Sequence, residues 1–157
     1  MNTINFRFIF AVFLVLALTI IPIPNIMAVF RPPWVLMFVL YVQFYLPRYY
    51  RVSWVFLLGL SLDVLLVTTF GEHAFALLLT SCLAASKTRR FLFFPVGQQM
   101  MFIALFCMIY ELILVLIDTL LGLNNNVFFA VGTMLVTMIL WPWIKFLADN
   151  TFNPSPN

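Results

Sequence analysis

The stretch GLSLDVLLVTTFGEHA, residues 59–74, decides the fold, because it starts as an apolar helix and ends in a turn. Asp63 lies inside the apolar run, and Gly71, Glu72 and His73 follow one another where the run stops. Three titratable side chains in so apolar a segment are compatible with catalysis, with ion transport or with assembly. Their depth in a membrane is the first property that separates these alternatives.

The composition of the chain indicates that its solvent is lipid. Only 8% of the 157 residues are charged, against about 25% in a typical soluble domain. With 65% hydrophobic residues, the chain has too little polar surface to cover a water-soluble globule. The net charge of +3 is not that of a nucleic-acid-binding protein. The length predicts one domain, residues 1–149, followed by a disordered tail at 150–157.

Apolar runs between breaking residues predict an all-α fold, a bundle of six transmembrane helices. The runs are Phe6–Ile21, Pro33–Leu46, Ser53–Phe70, His73–Ser86, Gln98–Leu121 and Val127–Leu147. The second and fourth runs have 14 residues each, so a helix of either reaches about 21 Å of the ~30 Å hydrocarbon core. Either flanking residues extend these two helices, or they are short helices buried among longer ones. The first run is expected to be an uncleaved span.

The placement of Lys and Arg predicts the side of the membrane that each turn faces. With six spans and a cytoplasmic amino terminus, only Arg31 falls outside. The cytoplasmic set is Arg7, Arg48, Arg51, Lys87, Arg89, Arg90 and Lys145. Five of these, Arg48, Arg51, Lys87, Arg89 and Arg90, form a basic rim. The rim is interpreted as a topology determinant that contacts anionic lipid, or as a docking site for a cytoplasmic protein.

Asp63 and Glu111 are predicted to lie near the middle of the bilayer, Asp63 about 15 Å along its helix. A charge at that depth costs roughly 2.5–3.5 kcal/mol, and no Lys or Arg lies mid-span to neutralise it. Both side chains should therefore face the bundle, and Gly59, on the same face as Asp63, should let another helix approach closely. An interhelical polar clamp is the favoured interpretation, under which Asp63→Asn is tolerated. A proton or cation site is the alternative.

The Gly71-Glu72-His73 triplet is interpreted as a turn at the start of a helix. Gly71 suits a tight turn, and Glu72 complements the helix dipole. His73 is the only histidine, and neither a set of zinc ligands nor a serine-nucleophile motif accompanies it. The triplet should lie about 13–15 Å beyond Asp63, too far to share one site. We therefore predict no metal, no cofactor and no catalytic residue.

Three further features complete the sequence-based picture. Asp118 lies on the same helical face as Glu111 near the outer end, where a pair with Arg31 is an open possibility. A weakly polar stripe in the last run is predicted to pack against another helix: Ala130, Thr133 and Thr137. The sequence Trp141-Pro142-Trp143 is predicted to place two anchoring indoles and a kinking proline at the inner interface.

These landmarks, in their order, resemble the rod shape-determining protein MreD family, and the resemblance covers nearly the whole chain. It is carried by Arg31-Pro32-Pro33-Trp34, Gly59-x-x-x-Asp63, Gly71-Glu72-His73-Ala74, Phe94-Pro95 with Gln98-Gln99, and Trp141-Pro142. Two positions differ from the family pattern. The family usually has an acidic residue where this chain has Pro33, and commonly a glutamine where it has Glu72.

The resemblance implies a non-enzymatic, multi-pass subunit of the bacterial inner membrane that acts in cell elongation. Its implied partners are MreC, a bitopic periplasmic scaffold protein, and through it MreB and the RodA/penicillin-binding-protein peptidoglycan synthase. A homo-oligomer is compatible with the sequence. The family is also similar in fold to substrate-binding components of energy-coupling-factor transporters. Small-molecule or ion binding is therefore a second hypothesis, which predicts an enclosed polar cavity that reaches both Asp63 and Glu111. An intramembrane enzyme is the third.

Overall fold

The computed structural model describes residues 3–20, 32–122 and 128–152, and these ranges contain helices and no strand. The helices are α1 (Thr3–Ile20), α2 (Trp34–Tyr45), α3 (Val52–Leu66), α4 (Glu72–Ala85), α5 (Thr88–Phe91), α6 (Val96–Leu120) and α7 (Phe128–Phe152). Because α5 is a single turn of four residues, six main helices remain. The predicted all-α fold with six main helices is confirmed.

Three of the main helices are short, where the sequence predicted two. Helix α2 has 12 residues, α3 has 15 and α4 has 14, whereas α6 and α7 have 25 each. Within the described ranges, α6 and the segment Ala130–Asp149 of α7 are long and apolar enough to cross a membrane. Helix α7 also continues to Phe152, past the predicted domain boundary at residue 149.

The third helix ends at Leu66, so the prediction that it runs to Phe70 is wrong. Val67 adopts a left-handed conformation (φ 54°) and is the C-cap residue of α3. The backbone N–H groups of Val67 and Thr68 both donate to the carbonyl oxygen of Asp63. A β-branched residue in this region costs about 1–3 kcal/mol, so the surrounding structure must hold it there. Gly71 (φ 95°) completes the turn into α4.

Helices α3 and α4 approach each other closely at Gly59. A Cβ atom added at Gly59 would lie 2.7 Å from the backbone nitrogen of Ala74 and closer still to its Cα. Only a glycine therefore allows the two backbones to lie at this separation. The close approach expected at Gly59 is present, and its partner is the first turn of α4.

Helix α2 is the centre of the bundle. Ten of its 12 residues are buried, among them Leu36, Leu40 and Phe44. They pack against Leu77 of α4 and Ile103 of α6 in the main hydrophobic core. A helix enclosed by protein need not match the bilayer thickness itself. For α2, this supports the interpretation of a short helix buried among longer ones.

The outer surfaces of α1, α6 and α7 are apolar. Phe13 is 68% exposed, Leu116 is 60% exposed and Ile139 is 66% exposed. A water-soluble protein rarely exposes so much large apolar surface, whereas lipid tails solvate it well. The opposite face of α7 contains Ala130, Thr133 and Thr137, which are buried. Since Thr137 Oγ1 lies 3.4 Å from Cys107 Sγ of α6, this stripe packs between helices as predicted.

Candidate functional site

Asp63 holds the turn between α3 and α4 through both of its carboxylate oxygens. Oδ2 accepts a hydrogen bond of 2.8 Å from the backbone N–H of Gly71. Oδ1 accepts one of 2.8 Å from the backbone N–H of His73 and lies 3.1 Å from His73 Nδ1. The Thr68 hydroxyl is a longer partner at 3.5 Å. The side chain is completely inaccessible to solvent, so all of its interactions are with the protein.

The predicted distance between Asp63 and the Gly71-Glu72-His73 triplet is therefore wrong. It assumed that α3 continues straight to Phe70, which would leave Asp63 in the middle of a long span. Because α3 ends at Leu66 and the chain reverses at once, Asp63 lies one turn from the helix end and faces the first residues of α4. The carboxylate and the imidazole are in direct contact.

The imidazole of His73 is oriented by two polar side chains. Its Nδ1 lies 3.1 Å from Asp63 Oδ1 and 3.2 Å from Thr68 Oγ1. We assign the ring proton to Nδ1, because the same Asp63 oxygen already accepts the adjacent backbone N–H. The ring packs edge-on against Tyr110 of α6, with 6.3 Å between the centroids. Asp63 thus fixes which edge of His73 faces the interior of the bundle.

Glu72 and Asp118 form a pair of carboxyl groups at the same end of the bundle. Both are buried, at 6% and 7% exposure, and a hydrogen bond connects their side chains. Two carboxyl groups share such a bond only when one of them carries the proton. The sequence identified Glu72 as a first-turn acid, and it is the first residue of α4. The alternative partner for Asp118, Arg31, lies outside the described residues.

A cavity of about 300 Å³, here called the outer cleft, opens at this end between the helices. Its polar wall includes Thr19, His73, Tyr110, Glu111 and Thr133. Its apolar wall includes Trp34, Leu36, Leu62, Leu66 and Leu114. The side chain of Glu111 interacts with the hydroxyl of Thr133. Of the two acids expected to share an enclosed cavity, Glu111 lines this cleft and Asp63 does not.

A second cavity of about 310 Å³, here called the apolar groove, lies between α1, α2 and α7. Its walls include Phe10, Ala11, Leu14, Phe38, Ile144 and Ala148, with Arg7 at one end. Trp34 lines both this groove and the outer cleft, so the two cavities are neighbours at this residue. Apart from Arg7, Trp34 and Tyr41, the groove walls carry no polar side-chain atom.

Gln99 joins three helices at the opposite end of the bundle. Its Oε1 accepts hydrogen bonds from Tyr45 Oη of α2 at 2.9 Å and from Lys145 Nζ of α7 at 3.2 Å. Its Nε2 donates to the carbonyl oxygen of Phe94 at 2.9 Å. The sequence motif contains both glutamines, but Gln98 is exposed while Gln99 is 3% exposed. Pro95 precedes α6 as its N-cap residue.

Trp141 is fully buried, so the predicted interfacial anchoring role of its indole is wrong. Its ring meets Phe91 edge-on at 6.1 Å between centroids, and Phe91 stacks on Phe44 at 3.9 Å. Trp143 is 68% exposed and is the indole of the pair that reaches the surface. Pro142 lies inside α7. The two indoles therefore have opposite environments, one buried and one exposed, and the sequence did not distinguish them.

The basic rim lies at the same end as Gln99. Arg48, Arg51, Lys87 and Arg90 are exposed, and the side chain of Arg89 lies outside the described set. The two parts of the chain that carry the rim are in contact, because the ring of Tyr45, shortly before Arg48, packs edge-on against Phe91, which follows Arg90. Among the described residues, no three His, Cys, Asp or Glu side chains are grouped to hold a metal ion.

Comparison with known proteins identifies the family of the chain. A family model described as rod shape-determining protein MreD matches residues 1–150. The chain belongs to the MreD family. A curated relative, the rod shape-determining protein MreD of Haemophilus influenzae, is 28% identical over 133 residues, which are 83% of this chain and 80% of the relative. No solved structure matches the chain.

Membership of the MreD family confirms the resemblance drawn from the sequence and implies a role in rod shape determination. MreD proteins are membrane proteins of the shape-determining system that includes MreC and MreB, and they are not a known enzyme family. The MreD motif residues Gly59, Asp63, Gly71 and His73 together build the turn between α3 and α4.

Proposed function

We propose that this chain is a non-enzymatic subunit of the cell-elongation complex in the bacterial inner membrane. In this role it binds MreC and so connects the MreB cytoskeleton to peptidoglycan synthesis by RodA and its penicillin-binding protein. The family match along residues 1–150 is the observation that carries the proposal. The oriented Asp63–His73 pair is consistent with it, because both Asp63 oxygens are occupied by bonds that hold a turn.

The charge distribution supports an orientation with both termini in the cytoplasm. Exposed cations follow α2 and α4, whereas Asp63, Glu72 and Asp118 lie at the other end of the bundle. Cytoplasmic loops carry an excess of Lys and Arg, so the rim end is assigned to the cytoplasm. The outer cleft then opens towards the periplasm.

The apolar groove is the surface that we propose for the membrane helix of MreC. A bitopic partner contributes a single transmembrane helix, about 10 Å in diameter. Ala11 of α1 and Ala148 of α7 lie between bulkier residues of the groove, and small side chains allow close helix packing in lipid. Leu14, half exposed on the groove wall, would contact that helix.

Disulfide cross-linking in membranes tests this docking. The native Cys82 and Cys107 are first replaced by Ser, and Leu14→Cys is combined with single cysteines along the MreC helix. We expect cross-links at MreC positions spaced three and four residues apart, as for one helical face. The matched control is Leu116→Cys, which is 60% exposed on α6 and outside the groove. Equal cross-linking at Leu116→Cys, or no association of MreC in mild detergent, would contradict the proposal.

Small-molecule binding, as in substrate-binding components of transporters, is the alternative function, and the outer cleft is the observation that favours it. Glu111 lines the cleft, whereas Asp63 does not. Under this alternative, Glu111→Gln cells lose rod shape although the protein accumulates normally and still associates with MreC. Normal shape in such cells would favour the assembly role alone.

A further inference from the structure

We propose that the outer cleft is a binding site for a small organic cation, a primary ammonium group attached to a short apolar body. Binding there does not require that MreC dock in the apolar groove. Its volume of about 300 Å³ lies at the lower end of the range for ligand pockets, about 300–1,000 Å³, so the ligand is small. Four observations on the cleft walls define the chemistry of that ligand.

The first observation is the phenol of Tyr110. Its side chain lines the cleft and is only 3% exposed, yet its hydroxyl makes no hydrogen bond with any residue in the described part of the chain. Because Tyr110 lines the cleft, its hydroxyl is available to accept a hydrogen bond from a group that enters the cavity. An ammonium group donates to such an oxygen.

The second observation is the carboxyl group of Glu111, the residue that follows Tyr110. It reaches the cleft beside the hydroxyl of Thr133. None of the 13 residues that line the cleft is Lys or Arg, and His73, the ionisable base among them, is paired with Asp63. An acid at membrane depth is costly unless it is neutral or paired. A bound ammonium group supplies the missing positive charge.

The third observation is the sign of the surrounding charges. Asp63 contacts His73 on the cleft wall, and Glu72 and Asp118 lie together at the same end of the bundle. The exposed rim cations follow α2 and α4 at the opposite end, near Phe91 and Gln99. Carboxyl groups gathered at one end favour a cation there over an anion, because negative charges attract the cation and repel the anion.

The fourth observation is the apolar part of the wall. Leu36, Leu62, Leu66 and Leu114 line one side, and the rings of Trp34 and Tyr110 complete it. Aromatic rings also attract cations through their quadrupole, by about 0.5–2 kcal/mol. A ligand with an amine and a short hydrocarbon or aromatic body therefore matches both sides of the cleft. A bare metal ion does not, since no group of three metal-ligating side chains occurs among the described residues.

Equilibrium dialysis of the full-length protein in nanodiscs tests the proposal, with benzylammonium as the probe and empty nanodiscs subtracted. We expect saturable binding of benzylammonium. Benzyl alcohol has the same ring and shape without the charge, and should bind at least about tenfold more weakly. Glu111→Gln, which is nearly isosteric, should weaken binding of the amine by about tenfold, and Tyr110→Phe should weaken it several-fold.

Two further variants control for indirect effects. Asp149→Asn removes an acid at the opposite end, next to Tyr41, and should leave the affinity for benzylammonium unchanged. Leu114→Trp fills the cleft and should block both probes. The proposal is overturned if wild-type protein binds no benzylammonium above empty nanodiscs, if benzyl alcohol binds equally well, or if Glu111→Gln binds the amine like wild type.

Discussion

Asp63 Oδ1 lies 3.1 Å from His73 Nδ1, and the same oxygen accepts the backbone N–H of His73 at 2.8 Å. The other oxygen accepts the backbone N–H of Gly71. A side chain of α3 thus provides the hydrogen-bond acceptors for the turn and for the first N–H groups of α4. This arrangement replaces the N-cap side chain that α4 lacks at Gly71. One carboxylate therefore sets where α3 ends and where α4 begins.

Asp63→Asn should destabilise the protein, in contrast to the tolerance that the sequence suggested. Both oxygens of Asp63 accept hydrogen bonds from N–H donors, and an amide keeps only one acceptor. Its NH₂ group would face a donor, so we expect the free energy of unfolding to fall by about 1–3 kcal/mol. Unfolding of the purified protein by SDS titration measures this change. Ser61→Ala, an exposed hydroxyl on the same helix, should change stability by less than about 0.5 kcal/mol.

Glu72→Gln should be neutral or stabilising by up to about 1 kcal/mol. Glu72 bonds to the carboxyl of Asp118, and an amide donates that bond without needing a shared proton. The same titration measures the effect, with Glu72→Leu as the comparison that removes the bond. A large loss of stability in Glu72→Gln would show that the carboxylate itself is required.

Gly59→Ala should destabilise the protein by about 1–3 kcal/mol, because the new Cβ would overlap the backbone of Ala74. Gly97→Ala is the matched control, since no atom lies within 4 Å of a Cβ placed there and the residue belongs to α6. We expect the control to be neutral or stabilising by up to about 1 kcal/mol. Thermal denaturation in detergent compares the pair. Equal stability of the two variants would mean that α3 and α4 can separate at no cost.

Gln99→Ala should cost about 1–3 kcal/mol, because it leaves Tyr45, Lys145 and the carbonyl of Phe94 without their bonds to Gln99. Gln98→Ala alters the exposed neighbour and should cost less than about 0.5 kcal/mol. Both proteins are compared by melting temperature in the same detergent. If Gln98→Ala proved the more harmful change while Gln99→Ala melted like wild type, the hydrogen bonds of Gln99 would not stabilise the bundle.

The number of main helices could be predicted from the sequence, because prolines, glycines and charges interrupt the apolar runs. The end of α3 could not. Residues Val67, Thr68 and Thr69 continue the apolar, β-branched pattern, and nothing in the local sequence marks a helix end there. The end coincides with a left-handed Val67 and with hydrogen bonds from Gly71 and His73 to the Asp63 side chain, which form only when α4 packs against α3. This error placed Asp63 and His73 far apart.

The sequence also could not predict which of two similar neighbouring side chains is buried. Gln98 and Gln99 have the same chemistry, but they point about 100° apart on α6, and only the fold shows which one faces Tyr45. Trp141 and Trp143 differ in the same way, one packed on Phe91 and the other exposed. Gly59 was the exception, because a glycine one turn before an intramembrane acid already indicates close helix packing.

Trp34 has a consequence for communication across the bundle. This residue lines both the apolar groove and the outer cleft. An occupant of either cavity that displaces this ring changes the shape of the other cavity. Thermodynamic linkage then requires that each occupant alter the affinity of the other by the same factor. If both cavities are filled as proposed, a single aromatic side chain couples the solute in the outer cleft to the helix in the apolar groove.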